Sequence, residues 1–388
     1  MKKVFAFTVC VFPLLCFLNC QPRAEKLNTE QFEHANVIID PVMKFTEDET
    51  SENTVEVKIM EPYTPKVFEL PVIGATGIAG TRLPLYLVPG ENAFIVDYLG
   101  AGRGFTILDE IKDWWYIVTG NTAGWVMNSL CLINIPDIIP SIVHDNTNTY
   151  SSLFRSSWVD IPNVTGLALY KAKDFNRRLG REEYITPVLY GMAEKLYIAQ
   201  QNAVANGHTI IIYEAFRPHD AHQIVFNNLS ELIKTDPYVL EGLTSSWYTL
   251  NWFLAPSPYN HQRGTAVDAS LGIIIDKKII KTGAYEYTHV ASFSEFTMQT
   301  PIHELSGAAA IFTAPVFSRD DVSWRSAVFC DYVTEGTRLL FNYMTGAGLT
   351  PLASEWWHFN DLINTDIAVA NNINGRFQIE KSYSVPVN

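Results

Sequence analysis

The sequence predicts two folded bodies, a small all-β barrel followed by a larger α+β domain. Between about residues 77 and 133, short β-branched and aromatic runs alternate with Gly, Pro and Asn turns, the pattern of a barrel of short strands. After residue 160, apolar residues at helical spacing alternate with buried strands, which is typical of α+β architecture. At 388 residues the chain is long enough for both bodies, since single domains usually contain about 100–200 residues.

The first residues indicate an export signal. Lys2 and Lys3 precede an apolar run of about 15 residues, 4–18, which is too short to remain as a membrane-spanning helix. The run ends at Cys20 in a sequence that resembles a lipobox, the motif in which a cysteine is lipidated and becomes the new N-terminus. We therefore expect a signal peptide over 1–19 and an exported lipoprotein, membrane-anchored through Cys20 on the periplasmic side. An ordinary signal peptide cut nearby is the alternative.

The charge of the chain is acidic, with 28 Lys and Arg against 41 Asp and Glu and a net charge of −13. Nucleic acid is therefore not expected as a partner, because a polyphosphate would be repelled. Part of this charge lies in residues 20–74, a polar segment that contains Glu47-Asp48-Glu49. This segment is predicted to be an acidic tether.

Five candidate strands predict the all-β barrel over residues 75–135, at 85–88, 94–96, 105–108, 114–118 and 124–126. The strand Trp115-Tyr116-Ile117-Val118 and the run Gly124-Trp125-Val126 resemble a bacterial SH3 domain. This resemblance implies an SH3-like barrel that contacts peptidoglycan or a protein partner. The alternative is that its tryptophans are simply core residues.

Residues 136–159, which contain prolines and asparagines, are predicted to be a linker to an α+β domain over 160–388. Apolar residues at helical spacing predict three helices, at 189–203 with a stop at Asn206-Gly207, at 221–233 and at 333–343. A buried strand is predicted at 209–213. The two cysteines beyond the signal, Cys131 and Cys330, fall one in each body, so we expect both thiols to be free.

Two short motifs carry the strongest chemical signal. His261 and Asp268 lie in the pattern H-x-x-G-x-A-x-D, and His358 ends the sequence E-W-W-H, which begins at Glu355. Two imidazoles and one carboxylate suit Zn²⁺ and leave a fourth position open for water, as in catalytic sites. Glu355 is placed to take a proton from that water without binding the metal.

Arg217 follows the predicted strand 209–213 and belongs to the run Glu214-Ala215-Phe216-Arg217-Pro218. An arginine at a strand end that points into a cleft can bind a substrate carboxylate or a developing oxyanion. Taken alone, the residue is better explained as a surface arginine before a turn.

Residues from about 160 to 365 resemble a zinc peptidase of the D-alanyl-D-alanine dipeptidase family, which includes vancomycin-resistance dipeptidases and is related to D,D-carboxypeptidases. The matching blocks run in order: 163–166 with Tyr170, the helix before Asn206, 213–218, 261–271, 298–301, 344–348 and 355–359. The resemblance implies one Zn²⁺ per chain held by His261, Asp268 and His358, with Glu355 as catalytic base and Arg217 as stabiliser of the transition state.

Three positions depart from the family pattern, Tyr259, His303 and Gln299, the last of which replaces a usual glycine. Tyr259 stands where the family usually has a serine that helps to hold the substrate, so we expect Tyr259 to contact the substrate. His303 stands where an acidic residue is common, although Glu304 is adjacent. These changes affect the expected substrate more than the expected reaction.

The function implied by the resemblance is zinc-dependent hydrolysis of D-alanyl-D-alanine in cell-wall peptide metabolism. An alternative with the same chemistry is a D,D- or L,D-carboxypeptidase or endopeptidase that acts on peptidoglycan stem peptides, which better explains an added barrel and a membrane anchor. A third possibility, from another class, is a non-catalytic wall-binding lipoprotein. The intact Glu355 argues against it.

Overall fold

The computed structural model describes residues 67–244, 247–254 and 259–387. All of them belong to one compact unit, Glu61–Asn388. The predicted signal peptide, Cys20 and the predicted tether up to residue 66 lie outside the described residues. Within the described ranges, no helix has both the length and the apolar character needed to cross a bilayer.

The strands of the described residues are β1 Thr76–Ala79, β2 Leu83–Tyr86, β3 Ile95–Leu99, β4 Gly104–Ile111, β5 Trp114–Thr119, β6 Thr122–Met127, β7 Cys131–Asn134, β8 Val143–His144, β9 Arg155–Ser156, β10 Val159–Asp160, β11 Lys173–Asn176, β12 Arg181–Tyr184, β13 Pro187–Leu189, β14 His208–Glu214, β15 Ala266–Thr282, β16 Tyr285–Glu295, β17 Thr350–Leu352 and β18 Glu355–Asn360. The helices are α1 Tyr190–Ala205, α2 His219–Thr235, α3 Pro237–Thr244, α4 Leu250–Phe253, α5 Asn260–Arg263, α6 Glu335–Gly346 and α7 Leu362–Ala370.

The first sheet contains eight antiparallel strands in the order β13-β7-β1-β4-β5-β6-β2-β3. The five strands predicted from the sequence overlap β2 to β6, so the all-β character of this region is confirmed. A closed barrel is not shown, because no pairing among the described residues joins β13 to β3. The sheet also extends beyond the predicted barrel, since β13 pairs with β7 through Val188 and Ile133.

Trp115 belongs to the core of this sheet. Its ring is fully buried and lies 4.6 Å from the ring of Tyr190 at the start of α1. Its Nε1 donates a hydrogen bond of 2.9 Å to Glu110 Oε1. For this tryptophan the core alternative is confirmed, whereas Trp114 and Trp125 are only half-buried.

Residues 136–159, which the sequence predicted as a linker, are packed into the structure. Ile138, Ile139 and Ile142 are buried, and β8 pairs in parallel with β14. The proline and asparagine signals form short turns in this packed segment instead, as where Asn146 Oδ1 accepts a hydrogen bond from Asn148 N. The predicted tether likewise ends in packed residues, because Phe68, Leu70 and Val72 are buried.

The second sheet has the order β17-β18-β15-β14-β8, with β16 paired to β15. All of its pairs are antiparallel except β14 with β8. The predicted strand and the three predicted helices are confirmed as β14, α1, α2 and α6. α1 ends at Ala205, and Gly207 follows with φ of 77°, a left-handed conformation that glycine adopts readily.

The long hairpin of β15 and β16 is not predicted by the sequence pattern. Beyond Gly272, the residues of β15 are exposed or half-buried on both faces, so no period-two pattern of burial marks them as a strand. The inner part of β15 is fully buried between β14 and β18. That inner part carries the candidate site.

Candidate metal centre and catalytic cavity

Neighbouring elements bring His261, Asp268 and His358 together. His261 lies on α5, which ends at Gly264 with φ of 68°, and the chain then enters β15 at Ala266. Asp268 on β15 lies directly opposite His358 on β18. The three side chains, which come from two sequence motifs, therefore lie close together. The short helix, the glycine turn and the register of the two strands place them there.

The ligand-type atoms of these residues converge closely. His261 Nε2 lies 3.1 Å from Asp268 Oδ1 and 3.1 Å from His358 Nδ1, and His358 Nδ1 lies 3.0 Å from Asp268 Oδ1. A tetrahedral Zn²⁺ with bonds of about 2.0 Å holds its ligand atoms about 3.3 Å apart. The three separations are within a few tenths of an ångström of that spacing.

The outer nitrogens of both imidazoles fix their tautomers. His261 Nδ1 lies 2.7 Å from the carbonyl oxygen of Ala215, to which it donates. His358 Nε2 donates at 2.9 Å to Asn360 Oδ1, which also accepts a hydrogen bond of 2.7 Å from Asn260 Nδ2. The inner nitrogens are then unprotonated and present lone pairs beside the carboxylate, an arrangement that a cation stabilises. The donor set therefore fits zinc.

The pKa shifts of Asp268 and His358 also favour metal binding. Burial opposes ionisation of Asp268, but the neighbouring His261, His303 and His358 hold its pKa well below its usual range. Burial lowers the pKa of His358. An ionised carboxylate and a neutral imidazole are the forms in which these groups bind a metal.

Glu355 begins β18, three residues before His358. Its Oε2 lies 3.7 Å from His358 Nδ1, and the side chain is buried. Burial and the negative charge of Asp268 raise the pKa of Glu355 well above its usual range. A carboxyl group with a raised pKa beside a candidate metal is suited to accept and return a proton near neutral pH.

Arg217 is buried, so the surface alternative favoured by the residues alone is wrong. Its Nε donates to Glu214 Oε2 at 2.7 Å, and its Nη2 donates to the same oxygen and, at 3.2 Å, to Asp268 Oδ2. Its guanidinium carbon lies 5.1 Å from the centre of the Phe154 ring. These contacts hold the guanidinium beside the candidate metal centre.

Glu214 lies beside the candidate centre and is not marked by either of the two sequence motifs. It lies opposite Asp268 in the pairing of β14 with β15, and its Oε1 accepts hydrogen bonds of 2.7 Å from Asn148 Nδ2 and from Tyr170 Oη. No local sequence signal identifies it, because its partners come from distant positions.

His303 also belongs to the site, although the sequence analysis noted it only as a departure. Its Nε2 lies 3.1 Å from Asp268 Oδ2, and its ring stacks on Phe154 with centres 4.4 Å apart. Glu214, Asp268 and His303 form a second group of possible metal ligands. The Arg217 guanidinium already bonds two of these three, so this group is arranged around an arginine.

One cavity of about 190 Å³ is lined by all six predicted site residues that the structure describes, namely Arg217, Tyr259, His261, Asp268, Glu355 and His358. Tyr259 precedes α5 and packs against the ring of His222, with ring centres 4.4 Å apart. Its buried hydroxyl has no hydrogen-bond partner among the described residues. The cavity is smaller than the clefts of about 300–1,000 Å³ that hold drug-sized ligands, so it suits a small group.

Two imidazoles and a carboxylate beside a buried glutamate form the kind of centre used in metal-assisted hydrolysis. No family model matches the chain. The chain is similar to a protein named D-alanyl-D-alanine dipeptidase from Escherichia coli (strain K12), with 29% identity over 203 residues. The aligned region covers 51% of this chain and 72% of that relative.

Proposed function

We propose that this chain is a zinc-dependent peptidase of cell-wall peptide metabolism that hydrolyses the bond of D-alanyl-D-alanine. The observation that carries this proposal is the convergence of His261 Nε2, Asp268 Oδ1 and His358 Nδ1 within 3.1 Å, beside the buried Glu355. The similarity to a D-alanyl-D-alanine dipeptidase supports the choice of substrate.

The side chains divide the work of hydrolysis. His261, Asp268 and His358 would hold a zinc ion, which would supply Lewis acidity at the substrate carbonyl and lower the pKa of water in the site. Glu355 takes a proton from the water as its oxygen bonds to the carbonyl carbon, and gives that proton to the amine nitrogen as the C–N bond breaks. The products are one carboxylic acid and one amine.

Arg217 is suited to stabilise charge on the attacked carbonyl oxygen. Its Nε and Nη2 are engaged by Glu214 and Asp268, while its Nη1 forms no hydrogen bond within the described part of the chain. Because the residue lines the cavity, Nη1 is available to donate to the developing oxyanion.

A second candidate substrate is the end of a peptidoglycan stem peptide, cleaved by the same chemistry. Tyr259 lines the cavity at a position where the family usually has serine. Its hydroxyl has no hydrogen-bond partner among the described residues and is available to a substrate. Three further proposals would each place the enzyme near such a polymer. They are export through the signal 1–19, a lipid anchor on Cys20 and a peptidoglycan contact through an SH3-like region at 75–135. The strands β2 to β6 agree with the all-β character that an SH3-like region requires.

The direct test is the variant Glu355→Gln. We expect it to retain stoichiometric zinc, because Glu355 is not a ligand, and to lose hydrolysis of D-alanyl-D-alanine by about 100-fold or more, since proton transfer contributes about 10²–10⁴-fold to such reactions. Zinc content and release of D-alanine are measured on the same samples, with D-alanyl-D-alanine and purified muropeptides as substrates. Full activity of the variant would exclude Glu355 as the base, and wild-type protein purified without zinc or activity would favour the non-catalytic alternative.

A further inference from the structure

The cavity carries positive charge that the metal centre and the proposed base do not explain. Three arginines line it, Arg217, Arg263 and Arg319, against two carboxylates, Asp268 and Glu355. This surplus occurs in a chain whose net charge is −13. Arg217 pairs with Glu214 and Asp268, whereas the other two form no ion pair in the described ranges.

Arg263 is a buried cation without an adequate acceptor among the described residues. Its side chain is 7% exposed, and its Nε has no hydrogen-bond partner among the described residues. Its Nη1 reaches Asn260 Oδ1 only at 3.4 Å. A guanidinium buried in this way costs folding free energy. Such a cost is offset when an anionic ligand supplies the missing acceptor.

Arg319 contributes a second charge at the same place. It is exposed and lines the same cavity as Arg263. Two neighbouring guanidiniums present paired donors that match the two oxygens of a carboxylate.

The described residues that line the cavity also offer no free carboxylate for a substrate ammonium group. Asp268 is occupied by Arg217, His303 and the two imidazoles of the metal centre, and Glu355 is the proposed base. No other carboxylate is among the described residues that line the cavity. The positive charge of a free amino end would be repelled by the three arginines. An acylated amino end is uncharged and is not repelled.

We propose that Arg263 and Arg319 form a subsite for the C-terminal carboxylate of an N-acylated peptide, so that the preferred substrate is the end of a longer peptide and not a free dipeptide. This inference rests on the proposed peptidase function and names its substrate class. Arg263 and Arg319 would then determine which of the two candidate substrates binds, without taking part in the hydrolysis itself.

The test measures binding in zinc-loaded Glu355→Gln protein, in which no turnover is expected. Calorimetry compares N-acetyl-D-alanyl-D-alanine, its C-terminal amide and free D-alanyl-D-alanine. We expect the acylated acid to bind about tenfold more tightly than each of the other two. Added Arg263→Gln or Arg319→Gln should reduce its affinity to that of the amide, whereas Arg263→Lys should retain part of the preference.

Two controls keep the result interpretable. Arg82→Gln changes an exposed arginine in the connection between β1 and β2, outside the cavity, and should leave all three affinities unchanged. Arg319 is exposed, so its substitution should not alter the melting temperature even if that of Arg263 does.

The subsite would be refuted if the acid and its amide bound equally well, or if both arginine variants kept the wild-type preference for the acid. Tighter binding of the free dipeptide than of the acylated acid would refute the proposal of an acylated substrate. Hydrolysis by the zinc-loaded wild type is scored separately. If substitution of the arginines does not change turnover, this inference is refuted but the proposed peptidase function is not. Arginine-dependent binding without any turnover refutes the peptidase but supports the subsite.

Discussion

His303 shows how one buried side chain orients a proposed metal ligand. Its Nε2 donates to Asp268 Oδ2, so that Asp268 Oδ1 is left to face the two imidazoles. Stacking on Phe154 fixes the plane of the ring. The residue has φ of 60°, a left-handed conformation that asparagine also tolerates.

We expect His303→Asn to weaken zinc binding by about 10–100-fold, the usual effect of removing a group that orients a metal ligand. Asparagine accepts the backbone conformation but is too short to replace both the stacking and the hydrogen bond. The measurement is competition for zinc with a chelator, read together with kcat and KM. The control, His289→Ala, changes a half-buried histidine of β16 outside the cavity and should bind zinc as the wild type does. Equal affinities of the two variants would show that His303 does not orient Asp268.

The site residues differ in how far the sequence predicts them. His261, Asp268, His358 and Glu355 lie in two compact motifs whose chemistry is local, and the structure places them side by side. The role of Glu214 is set by Asn148, Tyr170 and Arg217, which only the folded chain brings together. Residue types in a motif are visible in a sequence, but the partners of a buried charge are not.

At the scale of elements, the connection from α5 to β15 determines the geometry of the centre. Gly264 joins them with φ of 68°, and a Cβ at this position would lie 2.6 Å from Leu132 Cδ2 and 3.0 Å from Leu189 N. Leu132 belongs to β7 and Leu189 to β13, so the first sheet closes against the turn that separates His261 from Asp268. A side chain here must displace either the sheet or the helix.

We expect Gly264→Ala to lower the free energy of unfolding by more than the roughly 1–2 kcal/mol of a left-handed alanine, and to reduce zinc affinity, because the clash shifts α5 relative to β15. The matched control is Gly180→Ala, which has φ of 66° but open space around its Cβ. The control should show the backbone cost alone and bind zinc normally. Urea unfolding and zinc titration of both variants make the comparison, and identical behaviour would mean that packing around Gly264 does not position the centre.

The elements that the sequence predicted are those whose own pattern of burial is regular. α1, α2 and α6 each bury one face, and β14 is a continuous buried run. The joining of β13 to the first sheet was not predictable, because a three-residue strand has no periodicity of its own. The packed segment 136–159 was misjudged since its turn-forming residues resemble those of an exposed linker.

At the scale of the whole described molecule, one cluster of buried apolar side chains includes residues of both sheets. It runs from Phe105 and Trp115 in the first sheet through Tyr190 to Ile211 and Trp357 in the second. A hydrogen bond also joins α1 to the first sheet, since the Tyr190 hydroxyl donates to Glu110 Oε1 at 2.6 Å. Neither sheet completes its core without the other.

We expect residues 67–388 to unfold in a single cooperative transition, and residues 160–388 alone to be insoluble or to lack one. The shorter chain would expose Val188, Tyr190 and their neighbours, which pack against the first sheet. Circular dichroism in urea and a sedimentation assay check this. A cooperative transition of 160–388 with the midpoint of the longer chain would establish the two predicted bodies as independent.

His261, Asp268 and His358 are proposed to hold a metal on which peptide hydrolysis depends. The most direct test is the rate of D-alanine release from D-alanyl-D-alanine and its N-acetyl form before and after zinc is removed by a chelator. We expect release from at least one peptide by the zinc-loaded protein, its loss on removal of zinc, and its recovery when one equivalent of zinc is returned. An unchanged rate in the metal-free protein would contradict the account.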